Sequence, residues 1–395
     1  MPRILRILNR FNLGGPTFNA AYLTKYLSPE FTTLLIGGEI DESENSSKFI
    51  INKLGLHTMT INEMKREINL KNDVIAYNKI KNIIKRFNPD IVHTHASKAG
   101  MLGRRAAYSC KVPVIVHTFH GHVFHSYFNS IQSNTFIEIE KNLAGKSNKI
   151  IAVSEIQKYE LSNVYKITKP NKISVIPLGF DLSRFQENMN EKRKMFRNQF
   201  NIKDDEIAIG IVGRIVPIKN HQLFLESLKY VIENSKKPIR AFIVGNGEYK
   251  SFLENKAKQL KIDYSDLEKK KFDATLTFTS WIKDVDYVYA GLDIVALTSL
   301  NEGTPVSLIE AQAANKPIIT TDVGGIKNVV VPDVTALLTK SNNYSDFSQR
   351  LLLLVEDNEL RLKLSQKGWD NVKEKFHYTR LVNDMSNLYY NLLDK

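Results

Sequence analysis

Residues Ile294–Glu310, IVALTSLNEGTPVSLIE, decide the fold. Ile294–Leu297 is an unbroken apolar run, β-branched at its start, which reads as a strand covered on both faces. Asn301-Glu302-Gly303-Thr304-Pro305 is a run of turn formers. Proline is tolerated at a helix start, where its missing N–H would have had no partner. From Val306 to Ala314 the residues are mostly helix formers. Strand, loop and helix in this order make one step of a parallel α/β sheet. Its loop sits at the strand's carboxyl end, where open sheets receive ligands.

The same step recurs in both directions along the chain. Apolar, β-rich runs occur at Ile4–Leu8, Thr32–Ile36, Ile91–His95, Val114–Thr118, Ile150–Val153 and Ile173–Ile176. They resume at Ile207–Val212, Arg240–Val244, Leu276–Phe278 and Ile318–Thr321. Amphipathic helices such as Val74–Phe87 and His221–Ile232 lie between them. Such alternation predicts parallel sheets with helices on both faces. The series restarts after the polar stretch Gln186–Asp205, and 395 residues suffice for two full cores. The expected fold is α/β with two Rossmann-like domains, residues 1–190 and 191–370. A segment at 371–395 is expected to pack back on the first domain. The tail from Ser345 reads as mostly helical, with Phe376, Tyr378, Tyr389 and Tyr390 at its end.

Composition removes several classes. A single cysteine, Cys110, excludes an intrachain disulfide framework and a thiolate metal site. No apolar run is long enough to span a membrane, and the run at Met1–Asn9 is too short for a secretory core, so a cytoplasmic location is expected. The net charge of +13 is uneven: residues 1–184 hold 25 Lys+Arg against 14 Asp+Glu, the remainder 30 against 28. A basic first half implies an acidic partner, namely a membrane surface, a phosphorylated acceptor or nucleic acid. A uniformly lysine-rich composition is the plainer alternative.

Most of the unusual residues fall on strand-end loops. Gly14-Gly15, in Asn12–Thr17, lets backbone approach a ligand at a helix start, without the G-x-G-x-x-G spacing of dinucleotide sites. Six of the nine histidines lie between His93 and His125, in a stretch free of Asp and Glu from Ile91 to Ile137. Lys98, Arg104 and Arg105 share that wall. His93 and His117 read as buried polar groups, whereas His120, followed by Gly121 past a strand end, is the candidate for touching substrate. Zinc is the alternative reading of the cluster. Arg214 and Lys219 are two cations in one strand–helix loop, the kind of pair that pyrophosphate requires. Gly245-Asn246-Gly247 ends the following strand. Gly303 and Thr304 free N–H groups at a helix start, where phosphate is favoured. Glu302 can reach sugar hydroxyls, and Glu310 a ribose diol.

Taken together these motifs resemble the family-4 retaining glycosyltransferases of GT-B fold, of the bacterial capsule, exopolysaccharide and O-antigen type. Glu302 and Glu310 match the family's paired glutamates, and Arg214 with Lys219 its G-R-x-x-x-x-K loop. Thr118-Phe119-His120-Gly121 matches its histidine motif, Gly14-Gly15 its N-terminal glycine loop, and Trp281-Ile282 the segment that holds the nucleobase. Ile282-Lys283 stand where the family usually has an arginine.

The resemblance implies transfer of a sugar from a nucleotide-diphospho-sugar, a UDP-sugar, to a hydroxyl of a glycan or polyprenyl-diphosphate-linked acceptor, with retention. Gly245, Asn246, Gly303, Thr304, Pro305 and Val306 would line the donor, Arg214 and Lys219 would offset leaving-group charge, and His120 would approach the sugar. No cofactor or metal is expected, because Asp284-Val285-Asp286 reads as helix-start acids rather than a D-x-D metal motif. A peripheral contact with an anionic membrane is expected through Lys79, Lys81, Lys85, Arg86, Arg104 and Arg105, aided by Phe124, Tyr127, Phe128 and Phe136. No nucleic acid is expected. A GT-B sugar-nucleotide epimerase or sugar-phosphate synthase, and an inactive scaffold subunit, are the other readings.

Overall fold

The computed structural model describes residues 1–12, 14–40, 46–65, 67, 69–120, 130–267 and 274–394. The chain forms two units: Met1–Phe180 together with Phe376–Lys395, and Asp181–Lys375. Each is built on a seven-stranded sheet.

The first unit carries β1 (Arg3–Arg10), β2 (Thr32–Gly38), β3 (Thr58–Ile61), β4 (Ile91–His95), β5 (Val114–Thr118), β6 (Lys149–Ala152) and β7 (Ile173–Val175). Their order is β3-β2-β1-β4-β5-β6-β7, every pair parallel. The second unit carries β8 (Ile207–Val212), β9 (Ile239–Val244), β10 (Tyr264–Asp266), β11 (Leu276–Ser280), β12 (Ile294–Leu297), β13 (Ile318–Thr321) and β14 (Ala336–Thr339). Their order is β10-β11-β9-β8-β12-β13-β14, again parallel. In each sheet the chain first winds to one side and then restarts on the other edge of its first strand. The switch lies between β1 and β4 in one unit and between β8 and β12 in the other. Loops leaving neighbouring strands diverge at such a point and open a crevice.

β8, β9, β12 and β13 are buried at every position. That is why their sequences run apolar without alternation. β3, β10 and β14 were not anticipated from the sequence. All three are sheet edges of three or four residues, paired on one side only, and such strands leave little periodic signal. The helix expected from Val74 starts earlier, at Leu70, because the Asn69 side chain caps it by accepting from the Asn72 N–H at 3.1 Å. Ala76, Ile80 and Ile84 form its buried stripe.

The units divide at Phe180/Asp181 and Lys375/Phe376, not at 190/191 and 370/371. Packing explains the offsets. Phe185 meets the Tyr289 ring edge-on at 5.7 Å, which ties the chain after Asp181 to the second unit. Asn371 donates to Gln312 Oε1 at 2.7 Å, which holds the chain before Phe376 there. The terminal helix Tyr378–Leu393 buries Leu381, Met385 and Tyr389 in the same core as Ile4, Leu23, Phe31 and Val116 of the first unit.

Candidate functional site

The second sheet brings its two best-marked loops together. β8 and β12 are neighbours, so Gly213–Asn220 and Thr298–Pro305 leave the sheet side by side. Thr298 Oγ1 donates to the Lys219 carbonyl at 2.9 Å, and the Leu300 N–H to the Ile218 carbonyl at 2.9 Å. Lys219 Nζ forms an ion pair with Glu302 Oε1 at 2.5 Å, and Ser299 Oγ donates to the same oxygen at 2.6 Å. Glu302 is therefore held from one side, and Oε2 is the oxygen left to accept from a ligand. An ammonium has three donors, so Lys219 retains others for an anion. Arg214 is exposed, and its side chain has no ion pair or hydrogen bond among the described residues.

Helix Val306–Ala313 begins at this loop. Pro305 is its N-cap, no side chain caps it, and its first turn holds no acid. Thr304 and Val306 are half-buried at this open end, and no atom lies within 4 Å of where a Gly303 side chain would begin. The uncapped backbone N–H groups and the positive end of the helix dipole thus follow directly on the loop that Lys219 meets through Glu302, a combination that attracts phosphate.

The backbone behind these loops is close-packed, and glycine makes that possible. Gly245 has φ +145, and a Cβ there would lie 1.9 Å from the Gly213 carbonyl oxygen. Its N–H donates to the Ser280 carbonyl at 3.0 Å, which joins the loop after β9 to the Trp281-Ile282 segment after β11. Trp281 and Ile282 are half-buried, and the indole N–H of Trp281 is buried without a partner among the described residues. Asn246 Oδ1 accepts from the Gly247 N–H at 2.8 Å. Gly324 and Gly325, after β13, press on Glu302 and Gly303: the Gly325 N–H donates to the Glu302 carbonyl at 2.8 Å. The adjacent glycines just past the Ile318–Thr321 run were the available sequence signal for this support, and it was missed.

Glu310 is anchored by Tyr289, whose hydroxyl donates to its Oε2 at 3.2 Å. Burial pushes the Glu310 carboxyl up to about 7, against a pull down from the Arg184 charge and the Tyr289 hydrogen bond. Hydroxyls of a bound diol would donate to its carboxylate form and favour it. Asp286 is tied to Lys192 at 2.9 Å and Arg184 at 3.6 Å, while Asp284 is exposed at the N-cap of helix Val285–Gly291. Tyr289 has no sequence signal of its own, because nothing local marks a tyrosine on a short helix as a partner for Glu310.

In the first unit Gly14 is the N-cap of helix Gly15–Tyr26, whose first turn holds no acid, and Thr17 Oγ1 donates to the Asn12 carbonyl at 2.7 Å. His93, His95 and His117 are fully buried, and burial holds each well below the usual histidine range. His120 lies at the edge of this group, half-buried, and burial lowers it to about 3. His120 Nε2 and His95 Nδ1 are 2.9 Å apart. Two of the cations assigned to this wall are spoken for. Lys98 pairs with Asp73 at 2.8 Å, and Arg104, fully buried, pairs with Glu140 at 2.6 Å. Arg104 therefore supplies no surface charge, contrary to expectation. Gly121, His122, Phe124, His125, Tyr127 and Phe128 lie outside the described residues. Among the described residues no three His, Cys, Asp or Glu side chains converge to hold a metal ion.

Comparison with known proteins shows the family of the chain. The family model "Glycosyl transferases group 1" matches residues 192–370, and "Glycosyltransferase Family 4" matches residues 41–184. An Escherichia coli UDP-Gal:alpha-D-GlcNAc-diphosphoundecaprenol alpha-1,3-galactosyltransferase is 31% identical over 331 residues, 83% of this chain and 82% of that one. The Staphylococcus aureus capsular polysaccharide biosynthesis glycosyltransferase CapM is 25% identical, over 84% and 86% of the two chains. Among solved structures, Anabaena Alr3699/HepE in complex with UDP-glucose aligns with TM-score 0.81 at 17% identity, over 98% of this chain and 99% of that one.

Proposed function

The chain belongs to glycosyltransferase family 4, and on that premise we propose that it transfers a sugar from a UDP-sugar to a hydroxyl of a polyprenyl-diphosphate-linked glycan, with retention. One observation carries the donor half of this reading: Arg214, Lys219, Glu302 and the open end of helix Val306–Ala313 gather where β8 and β12 diverge. The two cations and the helix end offset the charge of a leaving diphosphate. Glu302 Oε2 accepts from the donor sugar, and Glu310 from the ribose. The acceptor half is supported by the E. coli relative, whose name specifies a diphosphoundecaprenol-linked substrate.

A retaining enzyme with a carboxylate nucleophile needs an acid beside the sugar. Residues 91–137 contain no Asp or Glu, and the two acids that meet their cations, Asp73 and Glu140, are taken by Lys98 and Arg104. Same-face attack, in which the leaving phosphate takes the acceptor's proton, fits the residues present.

Metal independence is part of the proposal. Asp286 is occupied by Lys192 and Arg184, and Arg214 with Lys219 do the electrostatic work that a divalent ion does elsewhere. Purified protein incubated with a panel of UDP-sugars in excess EDTA is expected to release UDP from one of them, faster when acceptor is added. Activity abolished by chelator and restored by manganese or magnesium would instead make Asp284 and Asp286 metal ligands. An altered free sugar nucleotide, formed with no acceptor present, would point to an epimerase.

Membrane contact is proposed to be peripheral. Among the described residues no helix is long and apolar enough to cross a bilayer. Of the expected basic contacts, Lys85, Arg86 and Arg105 are exposed, whereas Lys79 pairs with Glu63 at 2.6 Å and Lys81 lies over the Tyr77 ring at 5.5 Å. Each available cation near an anionic surface contributes about 1 kcal/mol, screened by salt. In liposome sedimentation, binding is expected to rise with anionic lipid, to fall with salt, and to weaken in Lys85→Glu/Arg86→Glu. Equal, poor binding to neutral and anionic liposomes at low salt would remove the membrane from this account.

A further inference from the structure

Arg6, in the middle of β1, is fully buried and has no carboxylate partner among the described residues. Its Nε donates to Thr24 Oγ1 at 3.2 Å and its Nη1 to the Tyr389 hydroxyl at 3.2 Å. The same Nη1 lies 2.9 Å from His93 Nδ1 and 3.5 Å from His95 Nε2. A buried cation without a counter-charge is costly, so its retention calls for a reason.

The reason follows from proton bookkeeping. A guanidinium only donates, and an imidazole N–H turned toward it would be repelled, so both rings present a bare nitrogen. The two Nη1 hydrogens serve three acceptors, with His95 Nε2 the most distant, and the Tyr389 hydroxyl in turn donates to His93 Nδ1 at 2.6 Å. Neutral His93 then carries its proton on Nε2, which donates to Thr118 Oγ1 at 2.7 Å. Neutral His95 carries its proton on Nδ1, which donates to His120 Nε2 at 2.9 Å. His120 thereby has its Nε2 occupied as an acceptor, and its own proton sits on Nδ1. That nitrogen is buried and has no partner among the described residues. The Arg6 charge also opposes protonation of His93 and His95, and burial keeps His120 itself neutral.

We infer that Arg6, acting through His95, fixes His120 as a neutral N–H donor whose Nδ1–H is presented to an acceptor oxygen of a bound substrate. His120 is then not the base that takes the acceptor's proton, and Arg6 and His95 are positioning residues. This rests on the proposed UDP-sugar reaction for its ligand, but the tautomer itself does not depend on that reading. A lone imidazole in water favours the opposite tautomer, so the effect of the chain is measurable.

Long-range 1H–15N spectra of the full chain with 15N-labelled histidine test it directly. The expected result is a His120 ring protonated on Nδ1 and bare on Nε2 in the wild type. His95→Leu should lose this state, and His95→Asn, whose amide N–H can replace Nδ1–H, should keep it. UDP and a UDP-sugar are then added separately. A shift of the Nδ1–H signal with UDP alone identifies a phosphate oxygen, and a shift only with the sugar nucleotide identifies a sugar oxygen. In turnover, His95→Leu should lower kcat roughly fivefold to tenfold, the scale of one hydrogen bond. His95→Asn should recover most of that, and adding His95→Leu to His120→Ala should cost nothing further. A wild-type His120 protonated on Nε2, a tautomer unmoved by His95→Leu, or fully additive losses would each overturn the inference. Absence of turnover with every UDP-sugar would refute the proposed reaction while leaving the spectra to decide the tautomer.

Discussion

Glu302→Ala and Arg214→Ala are each expected to lower kcat by about 10²–10³-fold, because in the proposed reaction each removes a charge preorganised for the sugar diphosphate. Both residues stand on strand-end loops. Arg214 is exposed and its side chain is without a partner among the described residues, so its loss should leave the melting temperature close to wild type. Glu302 differs in one respect: its removal strands the Lys219 ammonium and the Ser299 hydroxyl, which now share Oε1. Lys219 is partly exposed and can resolvate, so the stability cost should be small beside the loss of turnover. Glu302→Gln separates charge from shape. It keeps an oxygen for the sugar and should retain more activity than alanine while still losing the Lys219 pair. Near-normal turnover in folded Arg214→Ala or Glu302→Ala would move the donor site away from the crevice between β8 and β12.

These residues stood out in the sequence because their chemistry and the fold's punctuation coincide. A charged residue close to Gly or Pro just past an apolar strand has few structural uses: Arg214 follows Gly213, Lys219 comes two residues after Pro217, and Glu302 precedes Gly303. The central strands stood out for a related reason: burial on both faces forces continuous apolar runs, as in β8 and β12. The edge strands β3, β10 and β14 carry no such requirement. What stayed hidden is set by long-range contact. Tyr389 meets Arg6 across 383 residues of sequence, and Tyr289 meets Glu310 across 21, with no local pattern marking either pair. Arg104 misled because a charged residue in a helix usually faces water, whereas Glu140 on a neighbouring helix gives it a buried partner at 2.6 Å.

Gly325→Ala is expected to remove most activity although the residue carries no functional group. A Cβ built on Gly325 falls 1.7 Å from the Gly303 carbonyl oxygen, so one of the two backbones must shift by more than an ångström. The Gly325 N–H is also bonded to the Glu302 carbonyl at 2.8 Å, so the shift is transmitted directly to the loop that presents the carboxylate and opens the helix. A misplacement of about 1 Å at reacting groups typically costs about 100-fold in rate. Overpacking of this kind costs about 1–3 kcal/mol of stability, which a two-domain protein of this size can survive. Gly145→Ala is the matched control, since no atom lies within 4 Å of the Cβ it would gain. The measurements are thermal melting and UDP release for both variants and the wild type. Gly145→Ala should match wild type in both, while Gly325→Ala should melt a few degrees lower and lose about two orders of magnitude in turnover. If Gly325→Ala kept turnover within twofold of wild type, the geometry of the Glu302–Gly303 backbone would not matter to the chemistry, and the role given to that loop would fall with it.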